Sequence, residues 1–459
     1  MSGGAMARPV ARETARIFIQ IPSYRDRECQ WTIRDAFAQA THPARITVGV
    51  CWQFDPALDA DCFTVETRPA QVRRVDVQAR DARGLGWARL QAQQLWQGEE
   101  FTLQIDSHMR FAPGWDVTLL AELEACPSPW PVLTVYPPAY WPPDERETAS
   151  DTRRMVQRLR GFSSNGVLQC TVDWVPEGVP VTGPKITAAL AGGFVFGPSR
   201  ILVDVPADPL IYFEGEEPSL AARLWTHGFD LFSPVAPVLF HYYRRADSRR
   251  PWDDASPLLP NAQSLRRLRQ LFEPDAGDAA ALGRFGLGTV RPLAAYERFA
   301  GVDFRARSLA IYACHYPYVF TPETAALLAD ADRLGPAAGA GLLLTREGEG
   351  LLVAPQATAI YQLTPAATWL WCAIEEALPA AERLAGFTER LGLSEVAAQD
   401  ALAVQACHWR SLGLLAPSAA SPAATAPVVA APTPRRRAIR PPPDATPIDT
   451  WHDLLGQRV

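Results

Sequence analysis

Nowhere does the chain hold an apolar run long enough to span a bilayer. Residues 1–16 are polar and alanine-rich and lack the apolar core of a signal peptide, and the first apolar run, Ile17–Ile21, is of strand length. These lacks predict a soluble, cytoplasmic protein with no membrane partner. The eight cysteines (29, 51, 62, 126, 170, 314, 372 and 407) are scattered without a CxxC pair, which argues against a disulfide framework or a zinc site. Basic residues are in deficit. With 44 Lys and Arg against 50 Asp and Glu, the formal net charge is −6, which argues against nucleic acid as a partner. The rest is ordinary for a globular chain: 459 residues, 48% apolar and 20% charged, with room for two or three domains.

The first hundred residues alternate between strand and helix patterns. Strands are expected at Ile17–Ile21, Ile46–Trp52, Val72–Val77 and Phe101–Ile105, with helices over 28–40 and 84–96. Such alternation implies a mostly parallel sheet, with ligands gathered at the carboxyl ends of its strands. Two sequence features fall at such ends. One is the polar loop Pro22-Ser23-Tyr24-Arg25-Asp26. The other is Asp106-Ser107-His108, where a short buried strand stops at a carboxylate and an imidazole one residue apart. On extended backbone the i, i+2 spacing aims both at one side of the strand end. An ion held by so few protein ligands keeps open positions, which suits a metal that also grips a diphosphate.

Other segments carry chemistry in the same order along the chain. Arg83-Gly84-Leu85-Gly86-Trp87-Ala88-Arg89 sets two glycines and two arginines at a loop-to-helix transition. The glycines and arginines can hold phosphate through backbone N–H groups and guanidinium forks, or Arg83 and Arg89 fix the site through buried pairs with Asp106. Ala191-Gly192-Gly193-Phe194 follows, where the glycines permit close backbone approach to a ligand. Then come Glu214-Gly215-Glu216-Glu217, Arg223-Leu224-Trp225-Thr226-His227-Gly228 and Phe240-His241-Tyr242-Tyr243.

The order R-x-L-x-x-A-R, D-S-H, A-G-G, G-E-E, R-x-W-x-x-G and a late histidine resembles the retaining GT-A glycosyltransferases that place N-acetylhexosamines on polypeptides. Asp106-Ser-His-Met-Arg-Phe111 and Tyr212-Phe-Glu-Gly-Glu-Glu217 fit best the Skp1-type polypeptide GlcNAc-transferase family, related to the mucin-type polypeptide GalNAc-transferases. The resemblance covers roughly residues 15–305. It implies a GT-A fold, a UDP-sugar donor and a Mn²⁺ or Mg²⁺ ion on Asp106 and His108, with His241 as third ligand. It also implies donor contacts around Ser23, Tyr24, Arg25, Arg83, Gly84, Arg89, Ser107, Gly192 and Gly193, and for Glu216 and Glu217 a catalytic role, either near the acceptor hydroxyl or in positioning the sugar. Same-face attack, with the departing phosphate accepting the acceptor's proton, requires no carboxylate nucleophile, and none is evident.

Beyond a connecting segment at 306–336, residues 337–416 form a second unit: a hairpin of Leu342–Thr345 and Leu351–Val353, a third strand at Ala359–Leu363, then three helices. This pattern resembles the PqqD-like fold, the winged-helix module that recognises precursor peptides in ribosomal peptide modification. The resemblance implies an α+β domain binding a leader peptide near Leu402 and Trp409. A DNA-binding winged helix is the competing reading. Residues 341–416 carry four basic and eight acidic residues, a net of −4, opposite to what phosphate demands. Residues 1–14 and the Pro/Ala-rich tail at 417–459 read as disordered.

The functional expectation is a metal-dependent retaining transfer of a sugar, GlcNAc first, from a UDP-sugar to a Ser, Thr or other hydroxyl of a precursor peptide recruited by residues 337–416. Two alternatives stay open. One is a transferase acting on a non-peptide acceptor, with the second unit structural. The other is a non-catalytic peptide-binding protein.

Overall fold

The computed structural model describes residues 14–309 apart from 61, 63–66, 147–154, 175–182, 246–247 and 274–278. Beyond these it describes 334–344, 350–354, 360–363, 365–391, 402, 405–406, 409–410 and 412–417. Expectations for the N-terminus, most of the connecting segment, much of the last helix and the tail lie outside the described residues. The chain divides into two compact units, residues 1–309 and 310–459.

In the first unit, β1 (Ile17–Tyr24), β2 (Ile46–Phe54), β3 (Val72–Gln78) and β4 (Phe101–Ile105) run parallel, in the order β4-β1-β2-β3. β1 and β4 are almost wholly buried, as expected of central strands covered on both faces. Phe18 packs its ring over Gly49 of β2, where a Cβ would lie 2.4 Å from the ring. Helices α1 (Glu28–Gln39) and α2 (Leu85–Gln93) supply the crossovers from β1 to β2 and from β3 to β4. The α/β architecture expected from the alternation is therefore present.

Beyond β4 the sheet changes character. Phe194–Pro198 pairs antiparallel with β4, and its register sets Phe194 opposite Ile105. This strand begins where β4 ends, so the turn at 191–193 lies beside Asp106. Next come β6 (Pro131–Leu133), Asp230–Ser233 and Lys185–Thr187, completing eight strands. A separate ribbon pairs β5 (Met109–Phe111) with Leu239–His241, His241 opposite Met109. Helix α3 (Trp115–Ala125) packs on this side, with Trp115 and Leu119 in the core.

Two segments differ from what the sequence suggests, where 137–190, rich in proline and polar residues, reads as long loops and 247–254 as an exposed loop. In the first, Met155–Phe162 and Leu168–Trp174 form an antiparallel pair with a register shift between Gln169 and Cys170. Their alternation is masked by Arg158 and Arg160 and interrupted by that irregularity. The stretch at 247–254, expected to be an exposed loop, contains a short helix at Pro251–Asp254. Asp254 there accepts hydrogen bonds from Tyr24 Oη at 2.7 Å and from Arg25 at 2.9 Å.

In the second unit, Gly341–Leu344, Gly350–Val353 and Ile360–Leu363 form the expected three-stranded antiparallel sheet. Helices Pro365–Glu375 and Ala380–Leu391 follow, and residues 402, 405, 406, 409 and 410 are helical. Leu352, Leu370, Trp371, Phe387, Leu402 and Trp409 form the core, with Trp371 and Trp409 edge-to-face at 5.2 Å. Leu334–Pro336 pairs with Leu415–Pro417 and closes the unit.

The connection from β4 to β5 is pinned by Thr32 of α1. Its hydroxyl accepts the Met109 N–H at 2.8 Å and donates towards the Ser107 carbonyl at 2.8 Å. Thr32→Val keeps the shape and strands both partners in a buried place. We expect it to cost about 1–3 kcal/mol, read as a lower urea midpoint at unchanged slope.

Candidate active site

The carboxyl ends of β1 and β4, the 191–193 turn and the N-terminus of α5 (Glu216–Thr226) frame a cleft of about 610 Å³; helix α4 (Arg200–Asp204) lies between that turn and α5 in sequence. Its floor is organised by one guanidinium. Arg89, 1% exposed, donates from Nε to Glu216 Oε1. It also donates to the Ile105 carbonyl at 3.0 Å, to Asp106 Oδ1 at 3.0 Å and to the Gly192 carbonyl at 2.9 Å. Gln104 reinforces the Gly192 carbonyl at 2.9 Å. Glu217, next to Glu216, accepts the Gly192 N–H at 2.9 Å and the Tyr136 hydroxyl at 2.5 Å. The glycines are needed for close approach: a Cβ on Gly192 would sit 2.6 Å from Glu216 Oε2, and one on Gly193 2.7 Å from Asp106 Oδ2.

Asp106, His108 and His241 converge so that one ligand atom of each lies within 4.8 Å of the others. His241 Nε2 is 3.3 Å from Asp106 Oδ2 and 3.0 Å from His108 Nε2. His108 Nδ1 is 2.8 Å from Asp26 Oδ2. Two imidazole nitrogens facing each other beside a carboxylate make a poor hydrogen-bonded core and a good donor set for a divalent cation. His241 Nδ1 is buried and makes no hydrogen bond. The residues present fit a metal ion.

Electrostatics agree with that geometry. Burial works against ionisation of Asp106, but the hydrogen bond with His241 and the Arg89 charge hold its carboxyl far below the usual range. Burial, helped by Arg245, pushes His108 down to about 4, which leaves the neutral imidazole a metal requires. Glu217 is pushed up to about 7, mainly by burial and further by the negative Glu216 and Asp106, against the opposing hydrogen bonds of Tyr136 and Gly192.

Most residues expected at the site gather here. Tyr24, Gly84, Arg89, Asp106, Ser107, His108, Gly192, Gly193, Glu216, Glu217 and His241 all line the cleft. Others are placed differently. Ser23 is fully buried, off the cleft. Arg25 is committed to Asp59 and Asp254. Arg83 lies over the Trp87 ring. Of the two readings of the 83–89 turn, Arg89 makes the buried pair with Asp106, and the Leu85 and Gly86 N–H groups donate to the carbonyls of Tyr212 and Ile211. Gly84, at φ +99°, allows that contact, since a Cβ there would strike Tyr212. Leu402 and Trp409, expected near a bound peptide, are buried in the core of their own unit. Sequence reasoning missed Tyr136, Gln104, Arg245 and the role of Asp26. Only Asp26 carried a signal, as the last residue of the strand-end loop.

A family model described as glycosyltransferase (GlcNAc) matches residues 16–67 and 55–306. The chain belongs to that family. It is therefore a glycosyltransferase, and the family match spans the unit that holds the cleft. Comparison with curated proteins gives no match. Among solved structures, the chain is similar to GalNAc-T7 with UDP, GalNAc and Mn²⁺, at 14% identity and a TM-score of 0.45 over 77% of this chain and 68% of that one. It is also similar to S. aureus TarS 1–349, at 12% identity and 0.33 over 82% and 92%. A third is the mannosyltransferase PcManGT from Pyrobaculum calidifontis in complex with GDP-Man and Mn²⁺, at 13% and 0.32 over 60% and 81%. Among the described residues no helix is long and apolar enough to cross a membrane.

The raised Glu217 has a thermodynamic consequence. Its folded value of about 7 exceeds the unfolded value of 4.5, so the folded state holds the proton more tightly. The associated stability is fully present below the unfolded value and is lost as pH rises through about 7. Glu217→Gln removes this dependence. Melting temperatures of metal-free wild type should therefore fall relative to Glu217→Gln between pH 5 and 8, and parallel curves would show that Glu217 ionises without penalty.

Proposed function

We propose that this glycosyltransferase moves a sugar, GlcNAc first among candidates, from a UDP-sugar to a hydroxyl of a precursor peptide. Transfer retains the anomeric configuration and depends on Mn²⁺ or Mg²⁺. The convergence of Asp106, His108 and His241 at the end of β4 carries this reading. Asp106 Oδ2, His108 Nε2 and His241 Nε2 would hold the ion. When bound, it neutralises the diphosphate as the glycosidic bond breaks.

The protein's own groups then have defined tasks. Arg89 orients Asp106 through Oδ1, which leaves Oδ2 towards the histidines. Glu216 and Glu217 were expected to act near the acceptor hydroxyl, but Glu216 is spent on Arg89, and both oxygens of Glu217 are spent on Gly192 and Tyr136. Neither is free as a nucleophile. Both position the 191–193 turn, whose glycines let a sugar approach the backbone. This favours same-face attack over double displacement.

The second unit supports a peptide acceptor. Among the described residues, each outer strand of its sheet, Gly341–Leu344 and Ile360–Leu363, has one neighbour only. Leu343 and Ile360 on these strands are exposed. A leader peptide added as a further strand would gain main-chain hydrogen bonds and cover these side chains. Tethering raises the acceptor's effective concentration at the cleft.

Asp106→Ala and chelation by EDTA should each abolish transfer from UDP-GlcNAc while the fold persists, and the product's anomeric proton coupling should report an α-linkage. Full turnover in EDTA, or a β-linked product, would overturn the reading. Truncation to residues 1–309 should spare UDP-sugar hydrolysis yet raise the apparent KM for precursor peptide by roughly 10²-fold or more. An unchanged KM would assign the second unit a structural role.

A further inference from the structure

We propose that Asp26 is the positioning residue of the metal centre: its carboxylate fixes the His108 tautomer and, through Arg245, tethers the segment that carries His241. This rests on the metal reading above.

Asp26 ends the strand-end loop and is 2% exposed. Its Oδ2 lies 2.8 Å from His108 Nδ1, and it accepts Ser107 Oγ at 2.7 Å and Arg245 at 3.1 Å. Its Oδ1 accepts the Glu28 N–H at 3.0 Å, at the start of α1. Three donors whose role is fixed, Ser107 Oγ, the Arg245 guanidinium and the Glu28 N–H, keep this buried carboxylate ionised, and an ionised carboxylate only accepts. The Nδ1 of His108 must therefore carry the ring proton. Its Nε2 then presents a lone pair, aimed at the one place where Asp106 Oδ2 and His241 Nε2 also meet. A histidine kept for packing would donate Nε2–H to a carbonyl; here Nε2 faces another imidazole nitrogen at 3.0 Å.

The second arm acts through the backbone. Arg245 lies four residues beyond His241 on the segment leaving the β5 ribbon, and its guanidinium reaches the same oxygen that holds His108. The Tyr242 N–H donates to the His108 carbonyl at 3.1 Å, which joins the two segments again. One carboxylate thus sets the donor atom of one ligand and the placement of the other. Hydrogen-bonded partners of this kind typically change metal affinity 10–100-fold when removed.

The test uses full-length protein in two measurements. In metal-free protein, long-range ¹H–¹⁵N correlation of the histidine rings, with His108 assigned by loss of its signals in His108→Gln, reads the tautomer. Mn²⁺ affinity is read by the electron paramagnetic resonance of free Mn²⁺. Wild-type His108 should be protonated at Nδ1. Asp26→Asn, whose amide can donate or accept, should lose that preference, weaken Mn²⁺ binding about 10–100-fold and regain turnover at saturating Mn²⁺. Arg245→Ala should keep the tautomer and weaken Mn²⁺ binding less. Nδ1-protonated His108 together with wild-type Mn²⁺ affinity in Asp26→Asn overturns the proposal. So does Nε2-protonated His108 in the wild type, a result that does not depend on the variant's folding. A wild type that binds no Mn²⁺ but shows the Nδ1 tautomer fails the metal reading instead, and leaves Asp26 as the group that sets His108.

Discussion

A single buried guanidinium holds the catalytic floor together. Arg89 has essentially no contact with solvent, and an unpaired charge there would be prohibitively costly. Its planar fork meets two carboxylates and two backbone carbonyls at once, drawn from the end of β4, the 191–193 turn and the start of α5. These pieces are far apart in sequence and meet only because an antiparallel strand begins where β4 stops. The pairing of Phe194 with Ile105 brings Gly192 and Gly193 to Asp106, and Arg89 from α2 locks them. The same guanidinium decides which oxygen of Asp106 remains available.

Local patterns were legible where their cause was local. The apolar alternation of Phe101–Ile105 and the abrupt polar stop at Asp106 announced a strand end bearing chemistry, and the structure puts both there. The hairpin and third strand of the second unit were similarly plain. What escaped notice depends on partners remote in sequence. Asp26 meets His108 across 82 positions and Tyr136 meets Glu217 across 81, with no periodicity to mark either pair. The 83–89 turn left two readings open because glycine and arginine serve phosphates and protein carbonyls alike. Only the carbonyls of Ile211 and Tyr212, supplied from the chain ahead of α5, decide between the two. Trp409 illustrates a simpler point: an apolar helix face packs on its own core before it can face a partner.

The commitment of Glu216 and Glu217 constrains the chemistry. Glu216 is neutralised by Arg89. Glu217 sits where burial and its negative neighbours favour the protonated form up to about pH 7, and Tyr136 and Gly192 occupy its oxygens. A covalent sugar intermediate needs a carboxylate that is ionised and unencumbered. The floor offers positioning in its place, and on the proposed reading the leaving diphosphate would accept the acceptor hydroxyl's proton.

That conclusion returns to charge. Arg89 carries one positive charge against Asp106 and Glu216, which leaves an uncompensated negative charge at the end of β4. A nucleoside diphosphate is itself anionic, and in a partly buried cleft its repulsion from Asp106 is only weakly screened. Under the proposed function a divalent cation between them would relieve that repulsion, and its charge would then dominate the local field. On the proposed reading, metal dependence follows from the same burial that fixes Arg89: one guanidinium holds the floor in place but cannot also neutralise the donor. His108 and His241 add ligand atoms without adding negative charge, so the centre can bind a divalent ion and still leave positive charge for the phosphates.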